Sequence, residues 1–524
     1  IKKRYIFDTI ISINIIMKKY FILASCLLFL NVILAENPRF IQAQLSYTTF
    51  YSPADGPYIE TYLSVIGGSL EWVQNDLGQF QSKLNVTMIF KDGGKIAAFD
   101  KYELSSPIIS DSAERFITFL DQQRFSLPNG EYDFEITLKD PNADTPPFSA
   151  NETIIINIPK DAVSISGIQL LESYKKSEEP TVLTKSGYDM IPYIYNFIPK
   201  EVNTINVYAE IYNTDKVFGT DQKFLLSHYI QSYETKRTMS SFSHFRREES
   251  KPVNVLLVNY NIAELPSGNY NLVIEVRDRE NMLVNSQKLF FQRSNPDLKI
   301  EQPIYASISI ENSFVNKITN QDTLTEYIKF LTPIATEIEN RFIRQQIESQ
   351  NADLQLMQRF FLNFWLERDE ANPELAWNTY LAKVNLVNEQ FGSPSKKGKR
   401  GYQTDMGYVF LKYGPPNTIT DRPFDASSSG LTINPGGEET IAMGSVPYQI
   451  WHYYSINEYR DRKFVFANHH LALFDYQLIH SNMPGEVQND NWQSELFYRF
   501  NVGGTMPETD KYKGQSGDFY NHPR

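Results

Sequence analysis

The sequence predicts a multidomain chain: two all-β sandwiches of immunoglobulin or fibronectin type, then a helical segment, then a C-terminal α+β unit. Three observations predict this. Apolar and polar residues alternate through the first half, as in strands buried on one side. Part of that half recurs downstream. After Gln321 the apolar period lengthens to three and four residues, the spacing of one helix face. The 524 residues also exceed what a single core accommodates.

Taken in order, residues 1–16 read as an upstream extension, because Met17 opens "MKKYFILASCLLFLNVILA". Lys18 and Lys19 form a basic start, and the apolar run behind them is shorter than the ~20 residues a membrane helix needs. Residues 17–35 are therefore expected to be a signal peptide, cleaved after Ala35. "LASC" offers Cys26 as a lipid acceptor, but the apolar run continues well past it. Cys26 is the only cysteine. Cleavage at Ala35 leaves no thiol for disulfides, catalysis or metal binding. No later segment is long and apolar enough to span a bilayer.

Residues 36–160 and 161–296 are expected to form the two sandwiches. "LPNGEYDFEITLKD" at 127–140 recurs as "LPSGNYNLVIEVRD" at 265–278, each a Pro-x-Gly turn before an alternating strand. "LNVTMIFKDGGK" from Leu84 and "INVYAEIYNTDK" from Ile205 read as a second repeated pair. Asp92-Gly93-Gly94 marks a hairpin.

Residues 297–392 read as helical. Leu324, Ile328, Leu331, Ile334, Ile338 and Phe342 form one stripe, with Thr323 and Glu326 as a capping box and Thr332-Pro333 as a restart. A second helix carries Leu354, Met357, Phe360, Phe361, Phe364 and Trp365 as core. A third opens at Asn372-Pro373 and runs to Gly392. Residues 393–500 hold short strands around a polar loop, 425–440, expected to be mobile. The tail, 501–524, lacks periodicity and is expected to be disordered.

Charge and motifs exclude several functions. Lys and Arg number 50 against 62 Asp and Glu, a net charge of −12, which argues against nucleic-acid binding. "KKGKR" at 396–400 is a short solvated basic run. "GSPSKKGK" imitates a phosphate loop but has the wrong glycine spacing, and Arg400 stands where a metal-binding hydroxyl is required. The seven histidines show no metal spacing, no nucleophile elbow is present, and no cofactor is expected. Asn85 and Asn151 lie in N-glycosylation sequons. Ser112 and Thr323, in Asp-Ser-Ala and Asp-Thr-Leu, resemble the short O-glycosylation acceptor of Bacteroidota.

The stretch "RGYQTDMGYVFLKYGPP", 400–416, draws the most attention. Thr404 and Asp405 are expected to bond nearby backbone amides and fix a turn. Gly401 and Gly407 would allow positive φ on either side. Tyr408 to Tyr413 would follow as a strand, stopped by Gly414-Pro415-Pro416.

Gly401-Tyr402-Gln403-Thr404-Asp405 resembles the GWxTD motif of a domain family in Bacteroidota and other bacteria, with Tyr402 in place of Trp. The helix with Trp365, Arg368 and Asp369, the segment "NEQFG", the Tyr413-Gly414-Pro415-Pro416 stop and "YQLIHSNMPGEVQN" resemble the flanks of that motif, over about 301–500. Members carry a signal peptide and sandwich-like modules ahead of the domain. The resemblance implies no particular reaction. The expected function is an exported, non-enzymatic scaffold in the periplasm or at the outer membrane, binding other envelope proteins in a larger assembly. The alternative is an enzyme, a hydrolase with its site near Asp405, Arg368 and the histidines.

Overall fold

The computed structural model describes residues 41–497 except 146, 180, 182, 299–307, 350–351, 394–397, 423–430, 434–438, 442–445, 470–475 and 490, together with 519–520. The expected signal peptide and Cys26 lie outside the described residues.

Strand alternation builds the first sandwich. One sheet runs β1 (Ala43–Ser52), β2 (Gly56–Ile66) and β6 (Thr118–Ser126), in the order β1-β2-β6. The facing sheet has β4 (Phe80–Asp92), β7 (Gly130–Lys139) and β8 (Phe148–Ile156) side by side. The start of β4 pairs β3 (Trp72–Gln74), and its remainder pairs β5 (Lys95–Ser105). Every second residue of β4 from Leu84 to Phe90 enters a core shared with Ile59, Leu63 and Val65 of β2. Gly93 and Gly94, both at positive φ, turn β4 into β5.

The second sandwich repeats the plan with more strands. One sheet runs β11 (Thr184–Lys185), β12 (Tyr188–Pro192), β10 (Gln169–Lys176), β14 (Thr204–Tyr212) and β17 (Val253–Asn261), with β9 (Ser164–Ile165) against β14. The other runs β13 (Phe197–Ile198), β19 (Leu283–Arg293), β18 (Gly268–Arg277), β15 (Lys223–Ser232) and β16 (Thr238–Glu249). Val207, Ala209 and Ile211 of β14 meet Leu226, Leu272 and Ile274 between the sheets.

The clearer repeat falls on β7 and β18. In each copy the tyrosine after the Pro-x-Gly turn donates its hydroxyl back to the proline carbonyl: Tyr132 to Pro128 O at 2.9 Å, and Tyr270 to Pro266 O at 3.0 Å. The other pairing of repeats needs correction. The Leu84 segment is β4, in the same sheet as β7, whereas the Ile205 segment is β14, in the sheet opposite β18. The positional counterpart of β14 is β2: β2 lies between β1 and β6 as β14 lies between β10 and β17. Core strands share the same alternation, so alternation cannot say which sheet a strand joins.

Helices follow: α1 (Gln321–Lys329), α2 (Glu337–Phe342), α3 (Leu354–Leu366) and α4 (Pro373–Phe391). The expected caps shift by a few residues. Asn320, not Thr323, caps α1, accepting from Thr323 N at 2.8 Å. The capping box belongs to Thr336 and Glu339 at α2, while Thr332–Ile334 is a short 3-10 turn. The aromatic stripe of α3 is buried, with Trp377 and Tyr380 of α4 packed on it. Pro373 opens α4 and Gly392 closes it.

The largest correction concerns 408–413, which is not a strand. It belongs to helix α5 (Asp405–Tyr413), closed by Gly414 at φ 86°. Six residues were too few to separate the two periods. Met406, Val409, Phe410 and Tyr413 reach the core at helical spacing.

A four-stranded sheet completes the fold: β20 (Thr418–Arg422), β23 (Tyr448–Ile456), β24 (Tyr459–Ala467) and β25 (Gln477–Ser481), in that order. Within the expected mobile loop, β21 (Leu431–Ile433) pairs with β22 (Glu439–Ile441). Trp451, Tyr453, Phe464 and Phe466 face the helices. Tyr448, Ile450, Val465 and Ala467 face the other way, under α6 (Trp492–Phe497). The tail expected to be disordered contributes Phe519 and Tyr520 to that outer cluster. Among the described residues no helix is long and apolar enough to cross a membrane.

Candidate functional site

The stretch 400–416 is a docking element between helices. Gly401 begins a 3-10 turn and lies so close to α4 that a Cβ there would sit 2.0 Å from Val387 O. Gly407, in the first turn of α5, lies against that turn, where a Cβ would sit 1.9 Å from Gly401 O. Neither glycine has positive φ. They permit close backbone approach, which corrects the expectation of left-handed geometry.

Thr404 is the helix cap. Its Oγ1 accepts from Gly407 N at 3.0 Å and donates to Gly401 O at 2.7 Å, so one buried hydroxyl ties the turn to the helix. Asp405 does not bond its neighbours as expected. Its Oδ2 accepts from Leu478 N of β25 at 2.7 Å, and its charge sits at the favourable end of the α5 dipole. Tyr402 packs edge-on to Phe330 at 4.8 Å, and its own N–H donates to Asn388 Oδ1 at 3.2 Å.

Losing the Asp405 carboxylate strands the Leu478 amide. Asp405→Ala is expected to destabilise the C-terminal unit by about 1–3 kcal/mol, and Asp405→Asn by less, since an amide oxygen still accepts. Thermal unfolding of both variants checks this. An unchanged melting curve for Asp405→Ala, together with lost function, would point to chemistry instead.

The rest of α5 feeds a buried polar hub. Tyr413 OH and Lys412 Nζ each donate to Glu486 Oε1 at 2.6 Å, and Tyr408 OH does so at 3.1 Å. Glu486 is 5% exposed and Lys412 16%. Burial, then the Glu486 charge, pushes the Tyr413 hydroxyl far above its ordinary range. Burial alone would lower Lys412, but Tyr408 and Glu486 outweigh it and raise the amine. Gly414 O accepts from Tyr453 OH at 2.8 Å, and the prolines that follow, Pro415 and Pro416, lead into β20.

The flanking motif residues are also internally partnered. Trp365 lies in an aromatic cluster with Phe364, Trp377 and Tyr380. Arg368 grips Glu339 with two N–H groups at 2.9 and 2.8 Å and donates to the Phe364 and Ile334 carbonyls. Asp369 accepts from Asn372 N at 2.9 Å, just ahead of α4. Ser112 and Thr323 are exposed.

Arg368 is not brought together with His452 or His480. His452 lies between Trp451 and Tyr453 on β23, so it points away from the helices that hold Arg368. There it faces Lys463 across the pair. His452 Nε2 meets Asp461 Oδ1 at 2.5 Å, and Lys463 Nζ meets Asp461 Oδ2 at 2.8 Å. Burial tends to raise the Asp461 carboxyl, but His452 and Lys463 outweigh it and hold it at about 2. A register shift in the β24–β25 pairing puts Leu478 opposite Phe466 but His480 opposite Val465, turning His480 to the outer face. His480 Nε2 lies 2.9 Å from Tyr520 OH, and burial lowers its pKa to about 4. No hydrogen bond reaches His452 Nδ1, Thr420 Oγ1 or Arg422 Nε among the described residues. A neutral His452 with its proton on Nε2 would present a lone pair at Nδ1.

Sequence reasoning missed Asp461 and Lys463. The two-residue turn at Asn457-Glu458 would have placed Lys463 opposite His452, had the register been counted out from it. Glu486 lies within the flank "YQLIHSNMPGEVQN", but nothing in that stretch singled it out as the partner of α5. Among the described residues no group of three or more His, Cys, Asp or Glu could hold a metal ion.

Residues 301–425 match the GWxTD domain family, so the chain carries a GWxTD domain. The match ends short of residue 500, where the resemblance in sequence was expected to extend. Comparison with curated proteins finds no match. Similar solved structures include the fibronectin(III)-like modules of Clostridium thermocellum CbhA, with 8% identity over 47% of this chain and 90% of that one, TM-score 0.14. A glycosyl hydrolase family 2 member from Bacteroides cellulosilyticus shows 8% identity over 44% and 26%, TM-score 0.16. A β-glucuronidase of Bacteroides uniformis shows 7% identity over 52% and 32%, TM-score 0.16.

Proposed function

We propose that this chain is an exported, non-enzymatic cell-envelope protein that acts as a binding or scaffold component of a larger assembly, in the periplasm or at the outer membrane. One observation carries the reading: the polar groups of Thr404, Asp405 and Arg368 are spent on internal contacts. The Thr404 hydroxyl serves Gly407 N and Gly401 O, the Asp405 carboxylate serves Leu478 N, and Arg368 serves Glu339. Groups engaged in this way hold a fold together. In this reading the sandwiches are fibronectin-like, supported by the two tyrosine hydroxyls folded back on proline carbonyls. Exposed Phe99, Phe116 and Phe245 supply aromatic surface of the kind favoured at binding hot spots.

Extraction from the native host in mild detergent, followed by sizing and mass spectrometry of what co-purifies, tests the reading. Elution above the monomer mass with a reproducible envelope partner is the expected result. A chain that always runs as a free monomer would sink it.

A second reading, a hydrolase, is favoured by the Asp461–His452 pair, whose Nδ1 no hydrogen bond reaches among the described residues. Turnover of an ester, peptide or glycoside substrate that disappears in His452→Ala, with folding intact, would establish that reading.

A further inference from the structure

The counterpart strands β2 and β14 carry the same pattern on the face turned away from their own cores: Tyr58-x-Glu60-x-Tyr62 and Tyr208-x-Glu210-x-Tyr212. These two faces meet each other. Tyr62 donates its hydroxyl to Glu60, and Tyr208 and Tyr212 donate theirs to Glu210.

Several cross-links between the sandwiches gather at and around these residues. Lys185 of β11 donates to Glu60 Oε2 of β2 at 2.6 Å and to Gln169 Oε1 at 2.6 Å. Arg124 holds the other Glu60 oxygen at 2.7 Å. The backbone N–H of Tyr51 donates to Tyr212 OH at 3.0 Å, and that of Gly167 to Thr49 O at 2.9 Å. Phe50 seals the contact against Leu171, Met190 and Tyr208, with the Lys185 ammonium 4.1 Å from its ring centre. The Glu60 side chain is 0% exposed and that of Lys185 5%.

We propose that the two sandwiches act as one rigid body, locked in a single orientation by this joint. An apolar contact alone tolerates sliding. A buried charge pair does not, because a small slide leaves each charge desolvated and unpartnered. The joint is therefore closed in one register or fully open. Its setting also fixes where the first sandwich meets the C-terminal sheet, at Glu152–Arg462, 3.3 Å. This inference stands whether the chain is a scaffold or an enzyme.

The test uses the full chain with Cys26→Ser and spin labels at Asp76→Cys and Glu280→Cys, both exposed and one in each sandwich. Pulsed electron–electron resonance should give one narrow distance. Its width should not change between low and about 1 M salt, because buried pairs are weakly screened. Lys185→Met should broaden the distribution roughly twofold or split it, while Lys185→Arg should broaden it less. A broad distribution in the parent chain, at either salt concentration, overturns the proposal whatever the variants do. So does a folded Lys185→Met variant as narrow as the parent.

Discussion

Gly407→Ala is expected to unfold the C-terminal unit. The new Cβ would lie 1.9 Å from Gly401 O, 2.8 Å from Gly401 C and 2.9 Å from Val387 Cγ1. Two of those three atoms are backbone and cannot rotate away. Relief requires α5 to move off the 3-10 turn, which breaks the Thr404 bridge and pulls Asp405 from Leu478. Overpacking commonly costs about 1–3 kcal/mol and sometimes more; here the upper end or beyond is expected. Gly401→Ala should behave alike, since its Cβ would meet Val387 O, Val387 C and Asn388 Cα. Gly414 is the control. It sits at φ 86° and ψ −172°, a region essentially reserved for glycine, with nothing within 4 Å of its Cβ, so Gly414→Ala meets only backbone strain, about 1–3 kcal/mol. Trp365, Trp377 and Trp451 are all buried in this unit and make its unfolding visible by fluorescence. Equal midpoints for Gly407→Ala and Gly414→Ala would refute the close-approach account.

Glu486→Ala should cost about 3–5 kcal/mol, the usual penalty for leaving a buried charge without its partner. Lys412 would then lose the Glu486 carboxylate and keep its bond to the Tyr408 hydroxyl. The paired replacement Lys412→Met with Glu486→Leu should recover most of the loss, because it removes both desolvation penalties. Urea denaturation of Lys412→Met, Glu486→Leu and the double completes the cycle. Additive losses would show that the hub is not a coupled pair. The pH dependence has a definite sign. The folded-state pKa of Lys412 is raised, so its contribution is complete below the ordinary lysine range and is lost as pH rises through the raised value. Neutral and mildly acidic solutions should leave it intact.

Much of this fold was legible because burial leaves a period. Leu84 to Phe90 alternates, and Met357 to Trp365 returns every three or four residues; each entered a core as its period required. Pro373 and Gly392 bounded a helix through backbone preferences that operate locally. The motif itself was recognisable, but its geometry was not. "YVFLKY" is apolar at spacings that suit either period, and the deciding contacts, Val387 O and Leu478 N, lie elsewhere in the chain. The same holds for Glu486, one carboxylate among many until α5 is folded against it. On the outer face, His480 turns toward Val465 only because the pairing register shifts, and sequence alternation cannot announce an irregularity of that kind.

The Asp405–Leu478 bond has a consequence for biosynthesis. It spans 73 residues, and the Lys412–Glu486 contact spans 74. While the chain is still being made, α5 can be capped by Thr404 but has neither of these partners. Its charged groups stay in water until β25 and the segment after it have left the ribosome. Nascent chains halted before residue 478 should therefore hold the sandwiches but not the completed C-terminal unit, and should remain open to protease there. The motif thus works as a checkpoint, satisfied only once the chain through Glu486 has been delivered.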